Sequence, residues 1–426
     1  MHWLRTRGGT ARGLSRSAVE CLGQQFTSAS EVTMAFLHGV EVIEIDAGPR
    51  PIQTVKSSVI GIVGTAPDAD ADAFPLNTPV LVAGSRKEAA GLDTVGDARG
   101  TLPTAMDGIF DQIGAVVIVV RVEEGLDEAE SLANVIGGVN AVDGNFEGVH
   151  ALVGAESVVG FSPRILIAPG FTHQRPEGNA NPVIAELQGI GDRLRAVIIA
   201  DGPNTNDADA IEAAGGFGSD RIYLIDPWHK VTVGSDIVDV PPSSRVAGLI
   251  ATVDNDTGFW ASPSNHLIGG IIGTSRPVDF KLGGASARAN LLNEAKVATT
   301  IRQNGYRLWG NRTLTDDTKW IFLSVRRTAD IINDSLLRAH LWAVDRGITK
   351  TYVSDVEESV NAYLRDLVAL GAILGGRCWA DPDLNSAANI QLGKVFFNFD
   401  FTPVYPAEHI TFRSHLVKDY IEEVFN

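Results

Sequence analysis

Short, continuous runs of apolar residues recur along the first two thirds of the chain. They are rich in valine and isoleucine and lack alternating polar positions, which is the pattern of parallel strands buried on both faces. These runs lie at 59–65, 79–84, 115–122, 164–170, 196–202 and 221–227. Helical periodicity between them, as at Pro182–Leu194 and at Asp207–Ala214 after a possible N-cap at Asn206, indicates alternating strands and helices. The pattern predicts an α/β domain with a mostly parallel sheet over residues 56–265.

The pattern changes after about residue 265, where helical periodicity dominates. We expect helices over Ala287–Asn304, Val325–Asp345 and Ser354–Leu374. The last would begin with a capping box formed by Ser354 and Glu357. Strand-like runs follow at 377–382 and 394–403, so a mixed α+β domain is predicted over residues 266–407.

Both ends of the chain carry strand-patterned segments. A lone strand has too little apolar surface to be stable, so each needs a sheet to join. We therefore expect extended arms over residues 34–55 and 408–426. Their apolar positions are Val40, Val42, Ile43, Ile45, Ile410, Phe412 and Leu416.

The first 33 residues differ in composition from the rest. They are rich in arginine and small residues and have no apolar core, so they do not form a secretory signal. Met34 opens the strand-patterned segment. We interpret residues 1–33 as an upstream extension from a misplaced start codon, and the alternative is a genuine disordered tail.

Charge and cysteine content exclude several classes of function. The 426 residues carry a formal net charge of −17, which argues against a nucleic-acid binder because phosphate contacts need clustered Lys and Arg. No apolar run is long enough to span a bilayer, so membrane insertion is not expected. With only Cys21 and Cys378, a disulfide framework is implausible, and we expect a structural thiol at Cys378.

Candidate catalytic residues are few. Asp201 and Asp226 both follow apolar strands, where α/β sheets bind ligands, and His229 could act as a base. Asp before Gly or Pro is also ordinary turn chemistry. The segment 61–66 is not a dinucleotide fingerprint, and the acidic run 68–74 lacks the glycine and glutamate of a calcium loop. Neither a cofactor nor a metal is predicted.

Several long segments resemble, in order, the contractile tail sheath proteins of phages and R-type bacteriocins. They include GTLPTAMDGIFDQIGAVVIVVRVEEG at 100–125, GFWASPSNHLIGGIIGTSRPVDF at 258–280 and NGYRLWGNRTLTDDTKWIFLSVRRTADII at 304–332. A further segment, HLWAVDRGITKTYVSDVEESVNAYLRDLVALGAILGGRCWADP, covers 340–382. The similarity extends from Met34 to the C-terminus, so residues 1–33 fall outside it.

The resemblance implies a structural protein that polymerises helically around a tail tube and contracts without a cofactor. The expected fold combines an outer α/β domain at 56–265, inserted before a mixed inner domain at 266–407, with terminal arms that complete a sheet in a neighbouring subunit. Implied partners are further copies of the chain, the tail tube protein, and the baseplate and tail terminator proteins. The implied location is the tail of a virion or of a bacteriocin-like particle, assembled in the bacterial cytoplasm.

The inner domain would face the tube, and its basic residues are the candidates for that contact. These are Arg326, Arg327, Arg346, Lys350 and Arg365. Trp309 and Trp320 would lie where subunits meet, since interface cores select aromatic and arginine side chains, or else in the subunit's own core. An enzyme that uses Asp201, Asp226 and His229 is the alternative function.

Overall fold

The computed structural model describes residues 51–418 and 420–421, so residues 1–33 and the N-terminal arm positions Val40, Val42, Ile43 and Ile45 lie outside the described part. Strands in the described part are β1 (Ile60–Thr65), β2 (Pro79–Ala83), β3 (Val116–Val122), β4 (Gly138–Val139), β5 (Phe146–Glu147), β6 (Ile165–Ile167), β7 (Val197–Asp201), β8 (Ile222–Ile225), β9 (His229–Val233), β10 (Asp236–Val240), β11 (Gly273–Thr274), β12 (Val297–Arg302), β13 (Tyr306–Trp309), β14 (Ile373–Ala380) and β15 (Phe397–Pro403).

Helices in the same residues are α1 (Arg86–Ala89), α2 (Leu102–Phe110), α3 (Glu128–Ile136), α4 (Ala155–Val159), α5 (Pro182–Leu194), α6 (Asp207–Gly215), α7 (Ser243–Asp256), α8 (Arg288–Glu294), α9 (Leu323–Ala339), α10 (Lys350–Ala369) and α11 (Ala387–Gln391). Asn206 caps α6, as expected, because its Oδ1 accepts the Asp209 N–H at 3.0 Å.

An eight-stranded sheet forms the centre of the fold, in the order β13-β12-β8-β7-β6-β1-β3-β2. The five pairings from β12 to β3 are parallel, and the outermost pairings at the two edges are antiparallel. All six apolar runs predicted as strands lie in this sheet. Alternate residues of β1 enter opposite faces, since Val63 packs in one core and Ile62 in the other. The prediction of a mostly parallel α/β sheet is confirmed.

In the second part of the chain one helix prediction is wrong, and another is correct but starts at the wrong residue. Residues 287–304 form the short helix α8 and then strand β12, whose β-branched residues fill a buried position beside β8. Pairing with the sheet outweighs the local helical periodicity here. Helix α10 begins at Lys350 with Thr349 as its N-cap, so Ser354 is an exposed residue inside the helix. The main sheet thus continues past residue 265, the position where we expected a domain boundary.

A third apolar core lies at the C-terminal side of the chain. It forms between α9, α10 and the β14–β15 hairpin, with Ile332 and Leu364 completely buried at its centre. Phe259, which follows α7, also contributes to it. We call α9, α10 and the β14–β15 hairpin the C-terminal module.

Three arginines mark the beginnings of three neighbouring strands in the main sheet. Arg164 directly precedes β6, Arg195 lies two residues before β7, and Arg221 directly precedes β8. All three meet carboxylates of α9: Arg164 and Arg195 reach Asp334, and Arg221 Nη1 lies 2.5 Å from Asp330 Oδ2. The two aspartates are one helical turn apart and therefore lie on one face of α9. We call this set of ion pairs the α9 ladder.

Further pairs extend the α9 ladder on both sides. Arg326 bridges Asp220 and Asp330, and Arg338 binds Asp334 and Glu156. Arg327 donates to both carboxylate oxygens of Asp254 on α7, at 2.7 and 2.6 Å. Because a buried charge without a partner is costly, the α9 ladder fixes the C-terminal module against the sheet in one position.

We predict that replacing Asp330 destabilises the whole subunit. Its side chain is 3% exposed and is shared by Arg221 and Arg326, so Asp330→Ala leaves two arginines short of a partner. Breaking such a buried pair typically costs about 3–5 kcal/mol, and urea unfolding should show this loss in the free energy of unfolding.

Asp316→Ala provides the matched control, because Asp316 is 97% exposed in its pair with Lys296. Its expected effect is within about 0.5 kcal/mol, as for most surface substitutions. Similar losses in the two variants would contradict a structural role for the α9 ladder.

Candidate subunit interface

The β14–β15 hairpin is an isolated two-stranded antiparallel sheet in the described part of the chain. Ala380 pairs with Phe397 at one end and Gly376 pairs with Phe401 near the other. The pairing register shifts between Ile373 and Gly375. Such a pair is marginally stable in water, so its stability depends on what it packs against.

Helix α10 supplies that support. Phe397, Phe399 and Phe401 pack against the third core, and the rings of Phe399 and Phe401 stack at 6.2 Å. Cys378 is buried beneath them, and burial raises the pKa of its thiol to about 11. A protonated, enclosed thiol at this position fits the structural role expected for Cys378.

Residues 52–57 are bound to the body of the subunit. Ile52 and Val55 pack on the third core, and the Val55 N–H donates to Ser335 Oγ at 3.0 Å. Ser57 donates to Asp254 at 2.6 Å, which links the segment to the carboxylate that also binds Arg327. The N-terminal arm was expected to extend to residue 55, but from residue 52 onward the chain is bound to this subunit.

The C-terminal segment is attached at one point and then leaves the body. Arg312 and Glu408 form a bidentate ion pair, with Nε–Oε1 at 2.7 Å and Nη2–Oε2 at 2.5 Å. Beyond Glu408 every residue through Lys418 is exposed and none forms regular structure. Ile410, Phe412 and Leu416 present their apolar side chains to solvent, with Phe412 92% exposed.

The five basic residues expected at the tube separate into two groups. Arg326 and Arg327 are largely buried in the α9 ladder, where they stabilise the subunit itself instead of facing a partner. Lys350 and Arg365 are exposed on α10, and Arg346 is exposed in the connection between α9 and α10. The Arg346 guanidinium lies 5.2 Å from the centre of the Trp342 ring.

Trp309 and Trp320 both make contacts within their own subunit. Trp309 packs edge-to-face on Phe280 at 4.8 Å, and Arg326 lies 4.3 Å from the centre of the Trp320 ring. Both tryptophans remain partly exposed, so each contributes to the subunit's own packing and leaves some ring surface at the exterior.

The structure keeps the three proposed catalytic residues in separate interactions. Asp201 is completely buried and accepts from the Ser243 N–H at 2.7 Å and from the Ser243 and Thr172 hydroxyls. It thereby caps α7, whose preceding residue is a proline that forms no side-chain cap. Asp201 was interpreted as a turn residue, and this is wrong because it ends a buried strand and has no contact with solvent.

Asp226 and His229 are also used by the fold. Asp226 accepts from Arg276 and from the Asn204 N–H at 2.8 Å, and it shares Arg276 with Asp207. The His229 imidazole is buried in β9 with Nε2 2.9 Å from the Thr300 hydroxyl, and burial lowers its pKa to about 3. Within residues 51–418 and 420–421, no three His, Cys, Asp or Glu side chains are close enough to hold a metal ion, and no helix is long and apolar enough to cross a membrane.

Two features of the structure have no counterpart in the sequence predictions. Glu357 and Asn361, one turn apart on α10, bind backbone groups of β14, and Arg312 fixes the start of the exposed C-terminal segment. Neither contact follows a local pattern, because the partners are 17 to 96 residues apart. Only the spacing of Glu357 and Asn361 indicates that they share a helix face.

Asp201, Asp226 and His229 are engaged in contacts within the subunit, and apolar side chains project from the exposed segment after Glu408. This combination is typical of a structural subunit. Models of three tail sheath segments match the chain: the N-terminal region of domain III of the tail sheath protein Gp18 at 57–122, the phage tail sheath protein central domain at 144–314, and the phage tail sheath C-terminal domain at 315–416. The chain belongs to the contractile tail sheath family and is a structural sheath subunit.

Individual relatives agree over nearly their whole length. The chain is 44% identical over 398 residues to a prophage major tail sheath protein of Pseudomonas aeruginosa (strain UCBPP-PA14), covering 92% of this chain and 100% of the relative. It is 35% identical to the tail sheath protein of Escherichia phage P2, covering 90% and 96%. The helical sheath of the anti-feeding prophage in its contracted state has the same fold, with a TM-score of 0.67, 18% identity and coverage of 90% and 99%. These matches give no support to the enzyme alternative.

Asp201 should make stability depend on pH. Burial raises its pKa to about 7 in the folded chain, whereas an aspartate in an unfolded chain ionises near pH 4. Between these values the folded state holds the extra proton, so its stability falls as pH rises, by up to about 1.4 kcal/mol per pH unit. Asp201→Asn cannot ionise and should lose this part of the slope.

The measurement is the difference in free energy of unfolding between the original chain and Asp201→Asn at several pH values from about 5 to 7. Contributions from all other groups cancel in that difference. A difference that stays constant with pH would show that the carboxylate is ionised throughout this range.

Proposed function

We propose that this chain is the repeating subunit of a sheath that polymerises helically around a tail tube and contracts to drive the tube through a target envelope. The observation that carries the proposal is the exposed segment after Glu408, in which the apolar side chains of Ile410, Phe412 and Leu416 are exposed to solvent. An exposed apolar row of this kind is unfavourable unless another chain covers it.

The β14–β15 hairpin is the proposed receiver of that segment. An extended segment can add to a sheet through main-chain hydrogen bonds, while its alternate side chains occupy pockets. In the proposed sheath, the arms 34–51 and 409–426 of neighbouring subunits lengthen the hairpin of a third subunit. Such contacts join different surfaces of each copy and therefore generate a helix instead of a closed ring.

The α9 ladder supports a subunit that moves as one body. Contraction in the proposed mechanism uses free energy stored at assembly, so no cofactor takes part. If the contracted lattice is favoured by even about 1–2 kcal/mol per subunit, a sheath of many copies releases a large total. Ion pairs between α9 and the sheet keep that energy from being lost in deformation of single subunits.

The inner surface of the sheath is proposed to be formed by the C-terminal module. Arg346, Lys350 and Arg365 are the exposed basic candidates for contact with the tail tube. Exposed charge contacts are weak and screened by salt, which suits a tube that must slide free on contraction. In this proposal residues 56–265 supply most of the outer surface, although the main sheet also includes β12 and β13.

The proposed setting follows from the family. Ends of the sheath would contact the baseplate and the tail terminator, in a virion tail or a bacteriocin-like particle assembled in the bacterial cytoplasm. One solved structure with this fold comes from an anti-feeding prophage baseplate, and it supports a position for such subunits next to a baseplate.

Removing residues 409–426 should abolish polymerisation without unfolding the subunit. The deletion keeps Glu408 and its ion pair with Arg312, and none of the removed residues that the structure describes is buried. We expect an unchanged melting temperature together with monomers in sedimentation and no tubes in electron micrographs. Normal tubes from this variant would rule out a role for the C-terminal arm in assembly.

A pair of substitutions provides a finer version of this experiment. If the arm forms a strand, Ile410 and Phe412 share one face and Thr411 lies on the other. The double variant Ile410→Ser with Phe412→Ser should assemble poorly, whereas Thr411→Ser should assemble normally.

Charge reversal tests the proposed contact with the tube. The double variant Arg346→Glu with Lys350→Glu should co-sediment less with purified tail tubes, and the binding that remains should depend less on salt. Arg99→Glu is the control, because Arg99 is exposed near the far edge of the main sheet, in a pair with Glu124. Equal binding by the two variants would move the tube contact away from the C-terminal module.

A further inference from the structure

The two outer edges of the β14–β15 hairpin are chemically different. In an antiparallel pair, alternate residues turn their N–H and C=O groups away from the partner strand, towards any third strand. The register places Cys378 opposite Phe399 and Ala380 opposite Phe397. Hydrogen bonds from Cys378 and Ala380 to α10 identify these as outward-facing positions of β14.

Asn361 occupies the outward backbone groups of Cys378 completely. Its Oδ1 accepts the Cys378 N–H at 2.8 Å, and its Nδ2 donates to the Cys378 carbonyl at 2.9 Å. A side-chain amide offers one acceptor and a donor, the same combination that the backbone of a neighbouring strand would offer. Glu357 accepts the next outward N–H, that of Ala380, at 2.5 Å.

The edge of β15 has no such cover. Phe399 lies opposite Cys378 and Phe397 lies opposite Ala380, so the backbone N–H and C=O groups of both phenylalanines also point away from the hairpin. In the described part of the chain these groups make no hydrogen bond outside the hairpin. Their side chains pack on the third core, so the edge is held rigidly while its backbone stays available. Unpaired edges of this kind are templates for a strand of another chain.

We propose that Asn361 and Glu357 determine where a donated strand can add, by closing the β14 edge and leaving only β15 to receive the arm of a second copy. This inference rests on the proposed strand exchange and specifies its geometry. One receiving edge gives every subunit the same neighbour relationship, whereas two would allow branched or out-of-register assemblies. Asn361 and Glu357 would therefore be specificity-determining residues that make no contact with the donated strand.

Disulfide mapping in assembled tubes tests the proposal. The receiving cysteine is placed by Asp400→Cys on β15 or by Arg377→Cys on β14. These residues are direct register partners, both are exposed, and each substitution removes the same ion pair, so the two variants are matched. The donor cysteine is placed at adjacent arm positions, Val42 or Ile43 and Thr411 or Phe412, so that either face of a strand is sampled. Cys21 is replaced by serine.

Distances decide the expected result. A strand on the β15 edge lies about 4.8 Å from β15 and about 10 Å from β14, and a disulfide needs Cα atoms within about 7 Å. We expect inter-subunit disulfides with Asp400→Cys, from whichever arm lies next to β15, at about tenfold the yield obtained with Arg377→Cys. Comparable or greater yields at Arg377→Cys would show that Asn361 and Glu357 do not close the β14 edge, while strand exchange itself would still stand. Tubes without a disulfide at either receiving position would overturn both.

Substitution of Asn361 gives a second, independent test. Asn361→Ala frees both backbone groups of Cys378, so disulfides at Arg377→Cys should rise towards those at Asp400→Cys and tubes should become irregular in micrographs. Asn361→Asp keeps the acceptor for the Cys378 N–H and loses the donor, so an intermediate yield is expected if Asn361→Ala is too unstable to assemble. An unchanged ratio of yields in a folded Asn361→Ala or Asn361→Asp variant would contradict the proposal.

Discussion

The subunit depends on one electrostatic constraint: the buried arginines directly before β6 and β8 must be neutralised by carboxylates of α9. Arg164 and Arg221 are almost fully buried, and their charges can be tolerated there only beside Asp334 and Asp330. A helix that carries both partners one turn apart has a single acceptable position across the sheet. The location of the C-terminal module, and with it the hairpin that α10 supports, follows from that position.

The hairpin itself illustrates how a marginal element becomes useful. Two strands alone are not a stable sheet, and a fully covered hairpin would have no edge for a partner. Here α10 contributes both packing and edge protection, since it buries Phe399 and Cys378 and binds the outward backbone of β14 through Asn361. The remaining edge is rigid and unpaired, which is the condition that strand addition requires.

The sequence predicted the buried strands and their parallel arrangement because short, continuous runs of valine and isoleucine are stable mainly as strands covered on both faces. It failed at residues 287–304, where β12 is held by pairing with a strand more than 70 residues earlier. It also assigned Arg326 and Arg327 to a partner, since an arginine on an amphipathic helix gives no local indication of a buried aspartate such as Asp254 on another helix. The segment after Glu408 is exposed and forms no regular structure in the described residues, so its pairing as a strand stays a prediction. The contacts of Asn361 and Glu357 with β14 exist only in the folded chain, so the sequence could not indicate them.

The attachment points of the two arms and the α9 ladder together determine how a force on one arm would be transmitted through the subunit. The attachment points are Val55 and Ser57 on the N-terminal side and Glu408 on the C-terminal side. On the N-terminal side, Val55 is bound to Ser335 of α9, and Ser57 is bound to Asp254, the partner of Arg327. On the C-terminal side, Glu408 is bound to Arg312, eleven residues before α9 begins. Both arms are therefore attached at or near the helix that is itself fixed to the main sheet. In the proposed sheath, these attachments would pass the displacement of a neighbour to the whole body of the subunit.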